Sequence, residues 1–67
     1  MYLIVNGKIY DNLEDDITMR ELLDHLKLPA KKIAIERNRE IVSKSTYDSV
    51  SLNDGDIIEI IHFIGGG

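Results

Sequence analysis

The stretch 53-NDGDIIEIIHFIGGG-67 decides how this chain folds and where its function is expected. Residues 53–56 tolerate left-handed backbone angles and predict a tight turn. The eight residues that follow are rich in isoleucine and apolar on both faces, which is typical of a central strand. Glu59 interrupts one face, so Ile58 and Ile60 are expected to point into the core.

The opposite face of this strand is predicted to be exposed. Ile57, Ile61 and Phe63 would lie on it, joined by Tyr2 or Ile4 from the start of the chain. The sequence supplies one helix, and one helix covers only one face of a sheet. Because an uncovered apolar patch is typical of an interaction site, we expect Ile57, Ile61 and Phe63 to form a partner-docking face.

Two further strand pairs are predicted upstream. The apolar segments on either side of Asn6-Gly7 form a hairpin, because both turn positions favour positive φ. Residues 33–37 are expected to be a strand and 40–42 a short paired return. The connector 43–51 is expected to be irregular, with Tyr47 inserted at the edge of the core.

Between these pairs lies one amphipathic helix. Thr18 and Glu21 have the spacing of a capping box, in which each side chain bonds the other's backbone N–H. Pro29 ends the helix by Leu28. The side of the helix expected to cover the core carries Met19, Leu22, Leu23 and Leu26.

Size and composition exclude several classes of function. A chain of 67 residues buries only about 60% of the surface of its unfolded form, which leaves no room for an enclosed active site. It has no cysteine, so neither disulfides nor thiolate metal sites are available. Twelve acidic against eight basic residues argue against nucleic acid binding. With no signal peptide and no apolar run of membrane length, we expect no membrane contact and a cytoplasmic location.

Clusters of catalytic or metal-binding side chains are not found either. His25 and His62 lack a second ligand at metal spacing. His25 is expected on the exposed side of the helix, and His62 is interpreted as a strand-end histidine, the alternative being contact with a partner enzyme. The acidic groups do not complete an EF-hand loop and are interpreted as solvated turn residues. We therefore expect no metal site and no intrinsic catalytic activity.

The three terminal glycines offer chemistry that no side chain of this protein offers. They form a narrow strip that reaches up to about 10 Å, and the carboxyl group of Gly67 at its tip is unhindered. A partner enzyme could adenylate that carboxylate, and a sulfur or nitrogen nucleophile could then attack the acyl adenylate. A glycine-rich end taken alone is more often a frayed terminus. The interpretation of this tail therefore depends on the rest of the chain.

The whole chain resembles the ThiS group of the ThiS/MoaD sulfur-carrier family. The resemblance is carried by Val5-Asn6-Gly7, the helix at 18–26, the segment 35-IERNREIV-42, the turn at 53–56 and the closing strand that runs into glycines. It implies an α+β fold of the β-grasp, ubiquitin-like kind, with one main helix on a mixed sheet of four to five strands. The domain would span residues 1–64 and the flexible tail residues 65–67.

The resemblance also implies a function. In the family, an E1-like (ThiF-type) enzyme uses ATP and magnesium to adenylate the terminal glycine, which then becomes a thiocarboxylate with sulfur relayed from a cysteine desulfurase. That sulfur goes to a ThiG-type thiazole synthase in thiamine biosynthesis. By motif match Gly67 carries the thiocarboxylate, Gly66 is its required neighbour, and Gly65 lies where members vary. The chain would be a protein cosubstrate with no cofactor bound, not an enzyme.

Other functions for the same tail stay open at this point. The chain could carry sulfur for molybdopterin or another sulfur-containing metabolite. It could be a ubiquitin-like modifier joined through Gly67 to a lysine of a target, or an interaction module that uses only its sheet face. The absence of cysteine favours the carboxyl end as the holder of sulfur, since no side chain can carry a persulfide.

Overall fold

One helix packs against one face of a five-stranded mixed sheet in the computed structural model, which describes residues 1–62. In chain order the elements are β1 (Leu3–Val5), β2 (Lys8–Tyr10), α1 (Met19–Leu26), β3 (Ile33–Arg37), β4 (Glu40–Ile41) and β5 (Ile57–His62). The strand order is β2-β1-β5-β3-β4, with β5 parallel to β1 and antiparallel to β3. The prediction of one helix on a mixed sheet of four to five strands, with the closing strand at its centre, is confirmed.

Both hairpins turn on two residues with positive φ. Asn6 and Gly7 have φ of 49° and 80° between β1 and β2, and Asn38 and Arg39 have 49° and 72° between β3 and β4. Such primed turns match the right-handed twist of the strands they join. The second hairpin is one residue shorter than predicted, because β4 ends at Ile41.

Helix α1 begins with the predicted capping box. The Glu21 N–H donates to Thr18 Oγ1 at 3.1 Å, and the Thr18 N–H donates to the Glu21 carboxylate at 2.9 Å. The helix ends at Leu26, within the limit at Leu28 that Pro29 was predicted to set. Lys27 adopts the left-handed conformation at φ 59°, and the Leu28 N–H returns to the Leu23 carbonyl at 2.9 Å. This is a Schellman-type closure made without glycine.

The core lies between α1 and the inner face of the sheet. Its buried residues are Leu3, Val5, Leu13, Ile17, Met19, Leu22, Leu23, Ile33, Ile35, Tyr47, Leu52, Ile58 and Ile60. Tyr47 lies deeper than the predicted core edge, with only 1% of its surface exposed, and the connector before it contains a 3-10 helix at Lys44–Thr46. The Arg20 N–H donates to the Tyr47 carbonyl at 2.9 Å, which holds the connector against the start of α1 and places the ring inside.

Candidate functional site: strand β5 and the open sheet face

Strand β5 carries the chain toward the glycine tail from the middle of the sheet. Its last described residue, His62, pairs with Ile33 of β3. The predictions for Phe63, Gly65, Gly66 and Gly67 fall outside the described residues. The structure therefore shows how the strand that precedes the tail is held, and three sets of contacts hold it.

The first set fastens β5 to β1 through Asn6. The Asn6 backbone N–H donates to the Ile58 carbonyl at 2.9 Å. Its side chain then bonds both polar groups of Ile60, with Oδ1 accepting from the N–H at 2.8 Å and Nδ2 donating to the carbonyl at 3.2 Å. Asn6 thus extends the parallel pairing beyond the end of β1. The sequence indicated Asn6 only as a turn residue, because an Asn side chain in a hairpin gives no sign of a partner 54 positions away.

The second set anchors the start of β5 at Asp56, whose surface is 7% exposed. Its carboxylate accepts from Arg37 Nε at 2.8 Å, from Asn38 Nδ2 at 2.9 Å and from the Asn53 N–H at 2.8 Å. Burial raises the pKa of Asp56, but the hydrogen bonds from Asn53 and Asn38 and the charge of Arg37 outweigh burial and hold that pKa below its ordinary value. Two sequence motifs that were recognised separately, 35–42 and 53–56, therefore meet in one network.

The third contact closes the gap between Asn38 and the first residue of β5. The Ile57 N–H donates to Asn38 Oδ1 at 2.9 Å, and the Asn38 N–H donates to the Ile57 carbonyl at 2.8 Å. Asn38 therefore serves as a turn residue, a partner of Asp56 and a cap for β5. These contacts make the base of the tail-bearing strand a fixed part of the fold.

The sheet face away from α1 has no secondary-structure element packed on it in the described part of the chain. We name it the open sheet face. Residues paired across neighbouring strands lie on the same face, and on this face the register places Ile4, Ile9, Ala34, Glu36, Ile41, Ile57, Glu59 and Ile61. Ile57 and Ile61 are 47% and 51% exposed, and Ile41 is 82% exposed. The structure thus brings two of the three residues of the expected docking face onto one exposed surface, and Phe63 lies outside the described residues.

Two carboxylates lie in the middle of this apolar surface. Glu36 of β3 and Glu59 of β5 are direct cross-strand partners. Along β5, Glu59 lies between Ile57 and Ile61 on the same face, since side chains of a strand alternate. Sequence reasoning noted Glu59 only as an interruption of the strand and did not single out Glu36, because the pairing register that joins them is a tertiary property.

Both histidines are exposed, His25 on α1 and His62 at the end of β5. Within residues 1–62, no group of three or more His, Cys, Asp or Glu side chains is placed to hold a metal ion. The single described helix longer than one turn is too short and too polar to cross a membrane.

Known proteins similar to this chain match it along nearly its whole length. A model described as the ThiS family matches residues 3–67. The sulfur carrier protein ThiS of Bacillus subtilis is 45% identical over 65 residues, which is 97% of this chain and 98% of that protein. A crystal structure of the thiamine biosynthesis protein ThiS from Geobacter metallireducens superimposes with a TM-score of 0.81 at 37% identity, covering all of both chains. The predicted β-grasp fold and the resemblance to the ThiS group are confirmed.

Longer proteins also match. A thiazole synthase from Paramagnetospirillum magneticum is 48% identical over 67 residues, which is all of this chain and 20% of that protein. A thiazole synthase from Magnetococcus marinus is 43% identical over the same length, again 20% of its own chain. The chain thus spans about a fifth of the length of these relatives.

The expectation of a small carrier protein that is not an enzyme agrees with the family and with the name of the Bacillus relative.

Proposed function

The chain belongs to the ThiS family, and from that premise we propose that it is a cytoplasmic sulfur carrier protein for thiamine biosynthesis. Gly67 is the carrier residue: its carboxylate is adenylated, becomes a thiocarboxylate and donates sulfur to thiazole synthase. The observation that carries this proposal is that both the family match and the match to a full-length ThiS protein extend over nearly the whole chain.

The proposed chemistry is an adenylyl transfer followed by an acyl transfer to sulfur. A carboxylate oxygen of Gly67 attacks the α-phosphate of ATP, pyrophosphate leaves, and an acyl adenylate forms. A sulfur nucleophile then attacks the acyl carbon and AMP leaves with one of the original carboxylate oxygens. When that nucleophile is a persulfide, the product is an acyl disulfide. A thiol then cleaves its S–S bond and is left as a mixed disulfide with the donor cysteine, and the terminal carboxylate has exchanged one oxygen for one sulfur. The carrier supplies the acyl group, and the activating enzyme supplies ATP and magnesium.

The composition of the chain supports a terminal carrier. The sequence contains no cysteine, so no side chain can hold a persulfide. Gly66 and Gly65 lack side chains and would let the tail enter a slot too narrow for any other residue. We assign Gly66 as the required neighbour of the carrier residue and Gly65 as part of the segment that enters the slot.

We infer three partners for this cycle: an E1-like, ThiF-type adenylating enzyme, a ThiG-type thiazole synthase, and indirectly a cysteine desulfurase. The thiazole synthase relatives support the ThiG-type partner, because this whole chain is similar to about a fifth of each of them. A carrier segment within a synthase chain is consistent with direct transfer between the two. The open sheet face is the proposed docking surface, with Ile57, Ile61 and Phe63 as its apolar anchors.

Intact-mass measurement tests the proposal. The protein is incubated with the ThiF-type enzyme, ATP, magnesium, a cysteine desulfurase, cysteine and a reducing thiol. We expect a mass gain equal to the replacement of one oxygen by one sulfur, localised to the peptide that ends at Gly67. A variant that lacks both Gly66 and Gly67 is the control and should gain nothing.

Two results would argue against this function. A covalent adduct between Gly67 and a lysine of another protein would indicate a ubiquitin-like modifier. Transfer of sulfur to a molybdopterin precursor but not to thiazole synthase would indicate the other carrier pathway.

A further inference from the structure

The pairing of Glu36 with Glu59 does not stabilise the domain by itself. Like charges that face each other across two strands are destabilising. In residues 1–62 the ion pairs are Met1–Asp15, Arg20–Asp48 and Arg37–Asp56, and none includes either glutamate. Arg39 of the second hairpin turn lines the same shallow depression as Ile57 and Glu59, but it forms no ion pair with either glutamate in the described part of the chain.

The surroundings of the pair are apolar. Ile57 and Ile61 flank Glu59 along β5, and Ile41 lies beside Glu36 on β4. All three isoleucines are exposed to solvent. The centre of a protein interface is usually apolar and depleted of glutamate, so a partner that covers this surface must supply a cation to the two carboxylates. Arginine is enriched among the residues that dominate binding energy, where neighbouring contacts exclude water.

The charges also decide which partner can cover this face. A second copy of the chain related by a two-fold axis would bring the same surface against itself, and the glutamates of one copy would approach those of the other. The net charge of −4 adds to that repulsion. Self-association through this face is therefore unfavourable, whereas a surface that presents a cation within an apolar border is complementary to it.

We propose that Glu36 and Glu59 together bind one arginine or lysine side chain of the activating enzyme, which projects from an apolar surface that covers Ile41, Ile57 and Ile61. The inference rests on the proposed function. We assign the cation to the activating enzyme because activation of the tail precedes every later use of it, whether sulfur transfer or conjugation. The glutamate pair then selects the enzyme that adenylates the tail, and the isoleucines supply the contact area.

Calorimetric titration of the purified ThiF-type enzyme with the carrier tests this pairing at low and high salt. The variants are Glu36→Gln, Glu59→Gln and the double change, with Glu14→Gln as the matched control, since Glu14 is an exposed loop residue away from the open sheet face. We expect the double variant to bind about tenfold or more weakly than wild type and with less dependence on salt. The control should bind like wild type.

Thermal unfolding of the same variants distinguishes a role of the glutamates in binding from a role in the stability of the domain. Because the change removes a repulsion, the unfolding midpoint of the double variant should equal or exceed that of wild type. A lowered midpoint would show that the glutamates stabilise the domain and would overturn the inference. The binding data would also overturn it if the glutamate variants bound as tightly as wild type or if wild type showed no measurable binding. A wild-type dimer that assembles through this face would overturn it as well, as would a loss of affinity for thiazole synthase alone.

The proposed function is judged by a different readout. Wild type and the Glu14→Gln control should acquire sulfur at Gly67 to the same extent, because the chemistry takes place on the tail. If wild type never gains sulfur, the proposed function fails whatever the binding data show. If wild type gains sulfur and the glutamate changes do not alter its affinity, only the present inference fails.

Discussion

Arg37 Nε donates to Asp56 Oδ2 at 2.8 Å, and this ion pair joins the end of β3 to the turn that starts β5. The Arg37 side chain is 22% exposed and that of Asp56 is 8% exposed. Removing one member of such a pair leaves the other charge poorly solvated, and breaking a buried pair in this way costs more than the pair itself contributes. The first two predictions concern this pair.

Asp56→Asn should destabilise the domain by about 2–4 kcal/mol, because Arg37 loses its counter-ion and one acceptor oxygen replaces two, so that the three bonds from Arg37, Asn38 and Asn53 cannot all form. Urea denaturation measures the loss. Asp48→Asn is the matched control: it breaks the exposed Arg20–Asp48 pair, whose side chains are 42% and 73% exposed, and should cost much less than Asp56→Asn because exposed pairs contribute little. Equal losses for the two variants would contradict the anchoring role of Asp56.

The same carboxyl should make stability depend on acid. The pKa of Asp56 is lowered in the folded state from its ordinary 3.8, so the folded protein binds this proton more weakly than the unfolded chain does. The contribution of Asp56 is therefore fully present above pH 3.8 and is lost as the pH falls through the folded-state pKa. Urea denaturation at a series of pH values from above 3.8 downward measures the unfolding free energy. That free energy should fall less steeply with decreasing pH in Asp56→Asn than in wild type. Parallel curves would contradict the prediction.

Asn6→Gly should isolate the contribution of the two side-chain bonds to Ile60, because glycine accepts the positive φ of this turn position. We expect a loss of about 1–2 kcal/mol and faster hydrogen exchange of the Ile60 amide. Asn12→Gly is the control. Asn12 also has positive φ, at 61°, but its side chain makes no hydrogen bond within the described residues. It should be neutral or slightly stabilised, and a similar loss in both variants would show that the Asn6 bonds contribute little.

Tyr47→Phe should leave stability unchanged or raise it by up to about 1 kcal/mol. The Tyr47 hydroxyl is buried and has no hydrogen-bond partner among residues 1–62, and an unpaired buried polar group is costly. Tyr47→Ala, in contrast, should cost about 3–5 kcal/mol because it leaves a cavity in the core. Chemical denaturation compares the two. A marked loss in Tyr47→Phe would indicate that the hydroxyl is bonded in solution, for example to an ordered water.

Local patterns in the sequence were sufficient for most of the fold. Asn6-Gly7 predicted the first hairpin, Thr18 and Glu21 predicted the start of α1, and the alternation along β5 predicted that Ile58 and Ile60 are buried. These signals act within a few residues and depend on backbone sterics and on the period of side-chain burial. Tyr47 was placed too near the surface because its anchor, the Arg20 N–H, lies far away in the sequence.

The candidate site was predictable only in part. Exposed isoleucines at positions 57 and 61 follow from strand alternation and from the presence of one helix. The facing of Glu36 and Glu59, the bonds from Asn6 to Ile60 and the Arg37–Asp56 pair could not be predicted, because each depends on the strand order and register. A shift of one residue in the pairing of β3 with β5 would separate the two glutamates.

The sequence by itself therefore determined the elements of this protein, its lack of cysteine and the glycine segment in which the carrier chemistry is proposed, because these are properties of composition and of short-range geometry. Only the tertiary structure decided which residues fix the strand that leads to the tail and which charges occupy the open sheet face. Apart from the local bond between Asn53 and Asp56, the hydrogen bonds that fix this strand join residues at least 18 and up to 54 positions apart, and only the folded chain brings such distant residues within bonding distance.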